Sequence, residues 1–381
     1  MSETNQRRPR TGWIKIILFC TLFACVFLAV QHVLNYKNTL SQYWPGRLKT
    51  YGQLPAGTID VVVIGASVND HSFSPNILWN ETGITVYNMS GAIHSHVFNE
   101  QKLLTMLEMN AAPKYAVFTP NSLFNGVRYT TEVITAYRKV WSALPTLSQK
   151  VRALRALEDD MRAYGREPDT LSFVLPLLYS HARWTQVKRW EIPPAWWFAD
   201  EDPPYMLGQS HYPKARDITD GVAEGRDSGE MELDATAVEG WTRIFAVCRE
   251  NGIQPVVCLL PRFDGTPSAV QKELALAFFE QNNVLVFDYS SEEELERMAW
   301  DYTAEFNDLS HINFGGAIRF SVDFAHKLAQ LPGLEDHRGD PAYAVWDGYR
   351  DEYYAAHHDE LVRVLGEDGA LPYEQRTDVP Q

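Results

Sequence analysis

The chain has 381 residues, of which 45% are hydrophobic, so it is long enough for one large domain or two small ones with a packed core. Its net charge of −15 argues against a nucleic-acid partner, because phosphate binding needs a basic surface. An acidic surface is also a poor match for binding flat on anionic lipid. Four cysteines do not make a disulfide framework.

The N-terminus carries an apolar run behind a basic cluster. Residues 16–36 contain no Asp, Glu, Lys or Arg, and this is about the length of one membrane-spanning helix. The arginines within residues 1–15 favour a cytoplasmic tail and an exported remainder, although basic residues also follow the span. A cleaved signal peptide is the alternative, but the run is long for one and offers no convincing small-x-small cleavage site. We expect an uncleaved anchor, followed by a linker over residues 37–58.

Beyond the linker, strand and helix patterns alternate along the chain. The strand candidates are Ile59–Ala66, Thr85–Asn88, Tyr115–Thr119, Pro255–Leu260 and Val284–Asp288. The helical patterns between them are His96–Met109, Glu132–Tyr164 with a break at Pro145, Ala235–Glu250 and Ser268–Gln281. Near-continuous apolar strands separated by helices predict an α/β fold, a three-layer α/β/α sandwich around a mainly parallel sheet.

Two stretches depart from this alternation. Residues 165–232 are rich in Trp, Pro and Asp, and we interpret them as a long insertion between the third and fourth strands. From residue 333 the chain turns acidic and loses core periodicity, apart from a short helical signal at Asp347–Leu365. We therefore expect a domain over residues 59–332 and a peripheral acidic tail over residues 333–381.

The first strand ends in a serine. The stretch IDVVVIGASVND, from Ile59 to Asp70, is an apolar run that places Ser67 at the carboxyl end of a strand, where chemistry collects in doubly wound sheets. The glycine patterns of phosphate-binding loops are absent, and Asn69 stands where the nucleophile elbow G-x-S-x-G has its second glycine. The structural alternative is a serine that caps the next helix.

A second signal lies near the end of the domain, in the stretch NDLSHINFGGA. Asp308 precedes His311 by three residues in a loop before an amphipathic helix. At this spacing the carboxylate can fix the imidazole tautomer, and the other ring nitrogen is then free to take a serine proton. Such a D-x-x-H pattern is weak evidence by itself, but it gains specificity beside Ser67. Asp288, at the end of the fifth strand, is a second candidate for the orienting acid.

Six blocks of the sequence together resemble the SGNH (GDSL-like) hydrolases. They are IDVVVIGASVNDHSFSP, TGITVYNMSGA, PKYAVFTPNS, PLLYSHARW, CRENGIQPVVCLLP and NDLSHINFGGAIRFS, in an order and spacing that run from about residue 59 to residue 328. The chain is similar in particular to membrane-anchored members that work beside membrane-bound O-acyltransferases on cell-surface polymers. The D-alanyl transfer protein of teichoic acids and the alginate O-acetyltransferase subunits are of this type.

The resemblance implies roles for individual residues. Ser67 matches the nucleophile, His311 the base and Asp308 its orienting acid. Gly91 and Asn121 match the two blocks that complete an oxyanion hole with the backbone amide of the nucleophile. The third block reads P-N-S instead of G-x-N-D, so this block departs from the family pattern. The structural alternatives are a turn for Gly91 and a loop cap for Asn121.

Two further histidine-containing stretches call for interpretation. An H-x-R-W block also occurs in the anchored relatives, and it implies acceptor binding by His181, Arg183 and Trp184. Aromatic rings stack on sugars and guanidinium groups bind anions, while the alternative is a helix that packs its aromatic side chains.

His94 and His96 suggest a metal site, but no carboxylate or cysteine pairs with them at ligand spacing. We expect neither a metal nor a cofactor.

The resemblance predicts a single-pass protein of the cell membrane with an extracytoplasmic SGNH-type domain. Its expected activity is acyl transfer, most simply of acetyl, to a cell-surface glycopolymer through a serine acyl-enzyme. A membrane-bound O-acyltransferase is the expected donor partner. An esterase with the same triad and a non-catalytic polymer-binding or assembly protein that retains the fold are the alternatives.

Overall fold

The computed structural model describes residues 11–34, 44–187, 192, 203–224, 226–227 and 229–377. The chain divides into two compact units. The smaller comprises Met1–Lys37 and Asp169–Ala199, and the larger comprises Asn38–Pro168 and Asp200–Gln381. The first ten residues of the predicted cytoplasmic tail and residues 37–43 of the predicted linker lie outside the described residues.

The larger unit is built on a five-stranded parallel sheet. Its strands are β1 (Val61–Ile64), β2 (Val86–Asn88), β3 (Tyr115–Phe118), β5 (Gln254–Leu259) and β7 (Leu285–Asp288), in the order β2-β1-β3-β5-β7. Two small ladders accompany it: β4 (Arg226–Asp227) with β6 (Asp264–Thr266), and the antiparallel pair β8 (Phe306–Asp308) and β9 (His311–Ile312). All five predicted strands are present, and the predicted α/β class with a parallel sheet is confirmed.

Helices occupy most of the remaining described chain. They are α1 (Thr11–Leu34), α2 (Trp44–Gln53), α3 (Ser67–Ser72), α4 (Pro75–Thr82), α5 (His96–Met109), α6 (Asn121–Asn125), α7 (Thr131–Ala143), α8 (Leu147–Ala163), α9 (Leu171–Val174), α10 (Pro176–Ser180), α11 (Thr219–Glu224), α12 (Ala235–Glu250), α13 (Ala269–Gln281), α14 (Glu292–Met298), α15 (Phe314–Leu328), α16 (Ala344–Ala356) and α17 (His358–Gly369). Short 3-10 helices lie at His181–Thr185, Pro204–Met206, Pro341–Tyr343 and Tyr373–Gln375. The four predicted helical patterns are confirmed, and the break at Pro145 separates α7 from α8.

Helices cover both faces of the sheet. Successive side chains of a strand point to opposite faces. Val61 and Val63 join the buried cluster that contains Phe320 of α15. On the other face, Phe118 meets Trp241 of α12 edge to face, with ring centroids 5.6 Å apart. The fully buried strands therefore lie between two helical layers, as their near-continuous apolar sequences require.

The strand order positions the site. The chain runs from β1 outward to β2, and then returns to place β3 on the other side of β1. In a sheet of this order, a crevice opens at the carboxyl ends of β1 and β3, where ligands bind in doubly wound folds. Ser67 follows β1 and Asn121 follows β3, so both lie at this edge.

The C-terminal region is packed instead of peripheral. Trp346 and Tyr353 of α16 are fully buried, and Leu361 of α17 joins a cluster with Ile318 of α15. Trp79 also donates its indole N–H to the Asp347 side chain at 3.0 Å. A few large aromatic side chains anchor these helices, and the acidic sequence around them masks their periodicity.

The predicted linker is also more ordered than expected. Its residues 44–53 form α2, in which Arg47 and Tyr51 are buried, and the Tyr51 ring meets Tyr87 of β2 edge to face at 5.2 Å. The segment after the span is therefore part of the larger unit.

The smaller unit contains the apolar helix α1. Its residues Gly12–Leu34 have a mean hydropathy of 2.5, and α1 is long and apolar enough to cross a membrane. Part of the predicted insertion belongs to the same unit, as α9, α10 and the 3-10 helix at His181–Thr185. Within its described residues, the insertion adds no strand to the five-stranded sheet.

Candidate active site

Ser67 occupies the turn that connects β1 to α3. It is the first residue of α3, and Ala66 before it is extended. A Cβ at Gly65 would lie 2.6 Å from Cγ of the buried Asn69 side chain, so glycine lets the turn and this side chain approach closely. The first amides of a helix have no carbonyl partner in a preceding turn. The Ser67 hydroxyl and the backbone at the start of α3 therefore meet at the carboxyl edge of the sheet.

Three predicted residues form a hydrogen-bonded line. Ser67 Oγ lies 2.8 Å from Nε2 of His311, and Nδ1 of His311 lies 2.8 Å from Oδ1 of Asp308. With the ring proton on Nδ1 and donated to the carboxylate, Nε2 accepts from the serine hydroxyl. This is the arrangement of a nucleophile, a general base and an orienting acid. The structure brings the three residues together, and their catalytic roles remain a prediction.

The hairpin of β8 and β9 holds Asp308 in place. Its Oδ1 accepts from the backbone amides of Ser310 at 2.8 Å and His311 at 3.0 Å, and its Oδ2 accepts from the Asn307 side chain at 2.9 Å. Burial alone raises the pKa of Asp308, but the hydrogen bond and charge of His311 together with these other donors hold that pKa well below its usual range. The carboxylate is therefore ionised at neutral pH.

Asp288, the other candidate acid, has different partners. Its Oδ2 lies 2.8 Å from Nζ of Lys272, and its Oδ1 accepts from the Ser290 hydroxyl at 2.7 Å. Asp308 is therefore the acid that contacts the His311 ring.

Two aromatic rings adjoin His311 that were not predicted as site residues. His71 stacks on Tyr212 with ring centroids 3.8 Å apart, and both rings meet His311 edge to face, at 5.9 and 5.4 Å. Burial lowers the pKa of His71 to about 4, so its ring is neutral at pH 7. A neutral ring beside His311 avoids like-charge repulsion when His311 takes up a proton. Tyr212 lies within the insertion, where the sequence gives no signal for it.

The two remaining oxyanion candidates differ in availability. The amide of Gly91 donates to the carbonyl oxygen of Gly65 at 3.1 Å, so it is already engaged. Asn121 begins α6 and lines the same cavity as Ser67 and His311. The Asn121 side chain forms no hydrogen bond with any described residue, so its amide is free to donate to a bound carbonyl.

A buried lysine lies beneath the loop that follows β2. Nζ of Lys102 donates to the carbonyl oxygens of Met89 at 2.9 Å and Gly65 at 3.2 Å, and it lies 3.0 Å from Nδ1 of His94. Burial holds the pKa of Lys102 well below its usual range. This side chain ties the loop after β2 to the turn that carries Ser67.

Arg47 of α2 braces the same region. Its Nη1 lies 2.7 Å from Oδ1 of Asp70 and 2.9 Å from the carbonyl oxygen of Ser90, and its Nη2 donates to Oγ of Ser210 at 2.7 Å. Arg47 and Asp70 are both fully buried, so this charge pair satisfies two groups that would be costly to bury alone. Helix α2, which lies in the predicted linker, therefore supports the backbone beside the candidate nucleophile.

A second buried network supports Asn121. Nε2 of His96 lies 2.7 Å from Oδ1 of Asp160, and Nδ1 lies 3.2 Å from Oγ of Ser122. The indole N–H of Trp241 also donates to that hydroxyl at 3.2 Å. With Asp160 accepting the Nε2 proton, Nδ1 accepts from Ser122. The first turn of α6, which carries Asn121, is thereby fixed to α5 and α12.

The cavity at the sheet edge has a volume of about 560 Å³, within the range of small-molecule sites. Its wall includes Ser67, His311 and Asn121, together with two basic residues, Arg128 and Arg262. Nε of Arg262 donates to Asp264 at 2.7 Å. Hydroxyl, amide and guanidinium groups in one cavity suit a polar or anionic ligand.

The three predicted acceptor-binding residues lie in the smaller unit. His181 and Trp184 are exposed, and Trp184 has 72% of its surface accessible. Arg183 is buried, and its Nη1 donates to the carbonyl oxygen of Leu34, the last residue of α1, at 3.3 Å. Arg183 therefore has a structural contact with the end of α1, whereas Trp184 is not packed as the alternative of a helix with packed aromatic side chains expects. Acceptor binding by all three residues remains a prediction.

Among the described residues, no group of three or more His, Cys, Asp or Glu is placed to hold a metal ion. His94 and His96, which suggested a metal site, have separate partners in Lys102 and Asp160.

Comparison of the chain with known proteins found no matching family model and no matching curated protein. Assignment to the SGNH hydrolases therefore remains a proposal.

Proposed function

We propose that this chain is an SGNH-type serine acyltransferase that is anchored in the cell membrane and acts outside the cytoplasm. Its fold is proposed to be the three-layer SGNH sandwich, and its reaction an O-acyl transfer, most simply of acetyl, to a cell-surface polysaccharide or glycopolymer. The observation that carries the proposal is the line from Ser67 through His311 to Asp308, which lies at the carboxyl edge of a parallel sheet.

The first half-reaction forms an acyl-enzyme. Oγ of Ser67 bonds to the acyl carbon of the donor while Nε2 of His311 takes the hydroxyl proton. The charge on the acyl oxygen is met by the Ser67 amide and the Asn121 side chain. The bond from the acyl carbon to the leaving group then breaks, and the leaving group takes the proton from His311.

The second half-reaction releases the acyl group. A hydroxyl of the acceptor gives its proton to His311 and bonds to the acyl carbon, and the bond to Ser67 Oγ breaks as the serine takes that proton back. Asp308 stays ionised and stabilises the protonated ring in both halves. The basic residues Arg128 and Arg262 line the same cavity, which supports binding of a polar or anionic acceptor there.

The membrane anchor supports a surface substrate. Helix α1 is long and apolar enough to cross a membrane, and the basic residues ahead of it favour a cytoplasmic N-terminus. A membrane-bound O-acyltransferase is the proposed source of acyl groups, because the anchored proteins that this chain resembles work beside such enzymes. His181, Arg183 and Trp184 retain their proposed role at the acceptor.

An esterase is the second candidate function, because water can resolve the same acyl-enzyme. The full chain in detergent should be mixed with an activated acetyl ester and defined oligosaccharides, and both free acetate and acetylated sugar should be quantified by mass spectrometry. If the wild type forms acetylated sugar and Ser67→Ala does not, the transferase is supported. Acetate alone, with every sugar offered, would make the protein an esterase. The absence of both products, together with binding of the sugar, would favour the non-catalytic alternative.

A further inference from the structure

The smaller unit has an exposed apolar face close to one end of α1. Residues 171–180, which read LSFVLPLLYS, contain no charged residue. Four apolar side chains of residues 171–184, which we call the 171–184 segment, leave more than half of their surface exposed: Leu171, Val174, Leu178 and Trp184. Exposed apolar side chains concentrated in so short a stretch usually mark a binding surface or a membrane contact.

Two hydrogen bonds tie this segment to the last turns of α1. The amide of Leu177 donates to Oε1 of Gln31 at 2.6 Å, and Nη1 of Arg183 donates to the carbonyl oxygen of Leu34 at 3.3 Å. Gln31 and Leu34 are buried, although the rest of α1 is almost entirely exposed. A cation suits the carbonyl end of a helix, so Arg183 is well placed for this contact. The segment is therefore held at the point where the apolar span ends.

The chemistry of the face favours lipid as its occupant. From Ile16 onward the exposed side chains of α1 carry no charge and are mostly apolar, as a surface in contact with acyl chains requires. The 171–184 segment continues this apolar surface at the level where a span leaves the hydrocarbon. Trp is enriched at that level, and the sequence that follows the segment contains Trp190, Trp196 and Trp197.

We propose that the 171–184 segment is a second membrane contact, a run of short helices that lies in the lipid interface beside the end of α1. The inference rests on the proposed spanning of the membrane by α1. The segment inserts apolar side chains and does not depend on charge, since residues 171–180 carry none. Insertion should therefore occur in vesicles of zwitterionic phosphatidylcholine and persist at high salt. If Trp184 faces lipid, this contact replaces the acceptor-binding role proposed above for that residue, and the quenching experiment below distinguishes the two roles.

Fluorescence quenching in vesicles tests this inference with the full chain. Cys20 and Cys25 of α1 are exposed and are replaced by alanine, whereas the buried Cys248 and Cys258 remain. The environment-sensitive fluorophore NBD is then attached at Leu178→Cys or Trp184→Cys. Phosphatidylcholine brominated either near the headgroup or deep in the acyl chain supplies the quencher.

Two controls separate the segment from the anchor. A Cys20→Ala variant keeps Cys25, which lies roughly 14 Å further into the span than Leu34 at the rise of an α-helix. The label on Cys25 should lose intensity most with the deep quencher. A label at the exposed Asp359, introduced as Asp359→Cys in the alanine background, should lose little intensity with either.

The expected result is a clear loss of intensity at positions 178 and 184 that is greatest with the shallow quencher and unchanged in high salt. Quenching at Cys25 without quenching at either segment position would overturn the inference while leaving the anchor intact, and would assign the apolar face to a protein partner. No quenching at Cys25 would refute the anchor, and the second contact with it. The substitution Leu178→Asp should weaken the contact of the segment with the lipid interface. A label at Trp184→Cys in this variant should therefore be quenched less.

Discussion

The backbone amide of Gly91 donates to the carbonyl oxygen of Gly65 at 3.1 Å, and this bond joins the loop after β2 to the turn that carries Ser67. Lys102 donates to the same carbonyl. The amide that the resemblance assigns to the oxyanion hole thus has a structural partner. The start of α3 and the Asn121 side chain remain as the proposed donors, and they lie at the ends of adjacent strands.

Asn121 should therefore contribute strongly to the proposed reaction. Asn121→Ala is expected to lower kcat for an activated ester by about 10²–10³-fold, the usual loss for one oxyanion donor, with little change in KM. Steady-state kinetics on the full chain provide the measurement. Asn125→Ala alters another asparagine of α6 that lines the same cavity, and it should retain most activity. Equal, small effects of the two substitutions would remove Asn121 from the oxyanion hole.

Lys102 should stabilise the fold through its buried contacts. Lys102→Met leaves the carbonyl oxygens of Gly65 and Met89 without this donor, and we expect the free energy of unfolding to fall by about 1–3 kcal/mol. Urea denaturation of the full chain in detergent measures the change. Lys214→Met, at an exposed lysine, is the matched control and should be neutral. If both variants unfold at the same urea concentration as the wild type, the lysine contacts do not stabilise the loop.

The neutral His71 should make stability depend on pH. Burial lowers its pKa from 6.5 to about 4 in the folded protein, so the unfolded chain binds a proton that the folded chain does not. The stabilisation is complete above pH 6.5 and is lost as pH falls towards 4, by up to about 3 kcal/mol. His71→Phe keeps a ring against Tyr212 but cannot titrate, so its unfolding free energy should fall less between pH 7 and pH 4.5. Identical losses in the two proteins would show that His71 is not the group responsible.

The local sequence predicts the sheet and the contact between Asp308 and His311 well. Runs of β-branched residues such as Val61–Ile64, separated by helical patterns, are typical of strands buried between helices. The three-residue spacing of Asp308 and His311 permits the contact between carboxylate and ring by itself. Only the meeting of His311 with Ser67 depends on the whole fold. The strand-end position of Ser67 suggested this meeting, and the resemblance to the SGNH hydrolases implied it.

Other features depend on contacts between distant parts of the chain. Lys102 lies on a predicted helix, but only the packing of the loop after β2 against the turn after β1 brings the carbonyl oxygens of Gly65 and Met89 and the His94 ring to its side-chain nitrogen. Tyr212 reaches the site from the insertion, whose sequence has no period. Trp346 and Tyr353 are buried in an acidic region that lacks a clear apolar pattern, so the packing of α16 could not be predicted from local composition.

The orientation of α1 predicts where the larger unit lies. An enzyme reporter that is active only outside the cytoplasm, fused after Gln381, should be active in cells. A reporter that works only in the cytoplasm should be inactive at the same position. Reversed activities would place the C-terminus in the cytoplasm and remove the surface glycopolymer as a substrate.

The most direct test of the account is the covalent state of Ser67. The full chain is incubated with an activated acetyl ester, stopped with acid, and analysed by intact mass and peptide mapping. We predict a single acetyl adduct on the peptide that contains Ser67. The adduct should be absent in Ser67→Ala and retained in Ser72→Ala, a matched substitution in the same helix. Turnover of Ser67→Ala at the wild-type rate, or an adduct that maps to another residue, would contradict the proposed nucleophile.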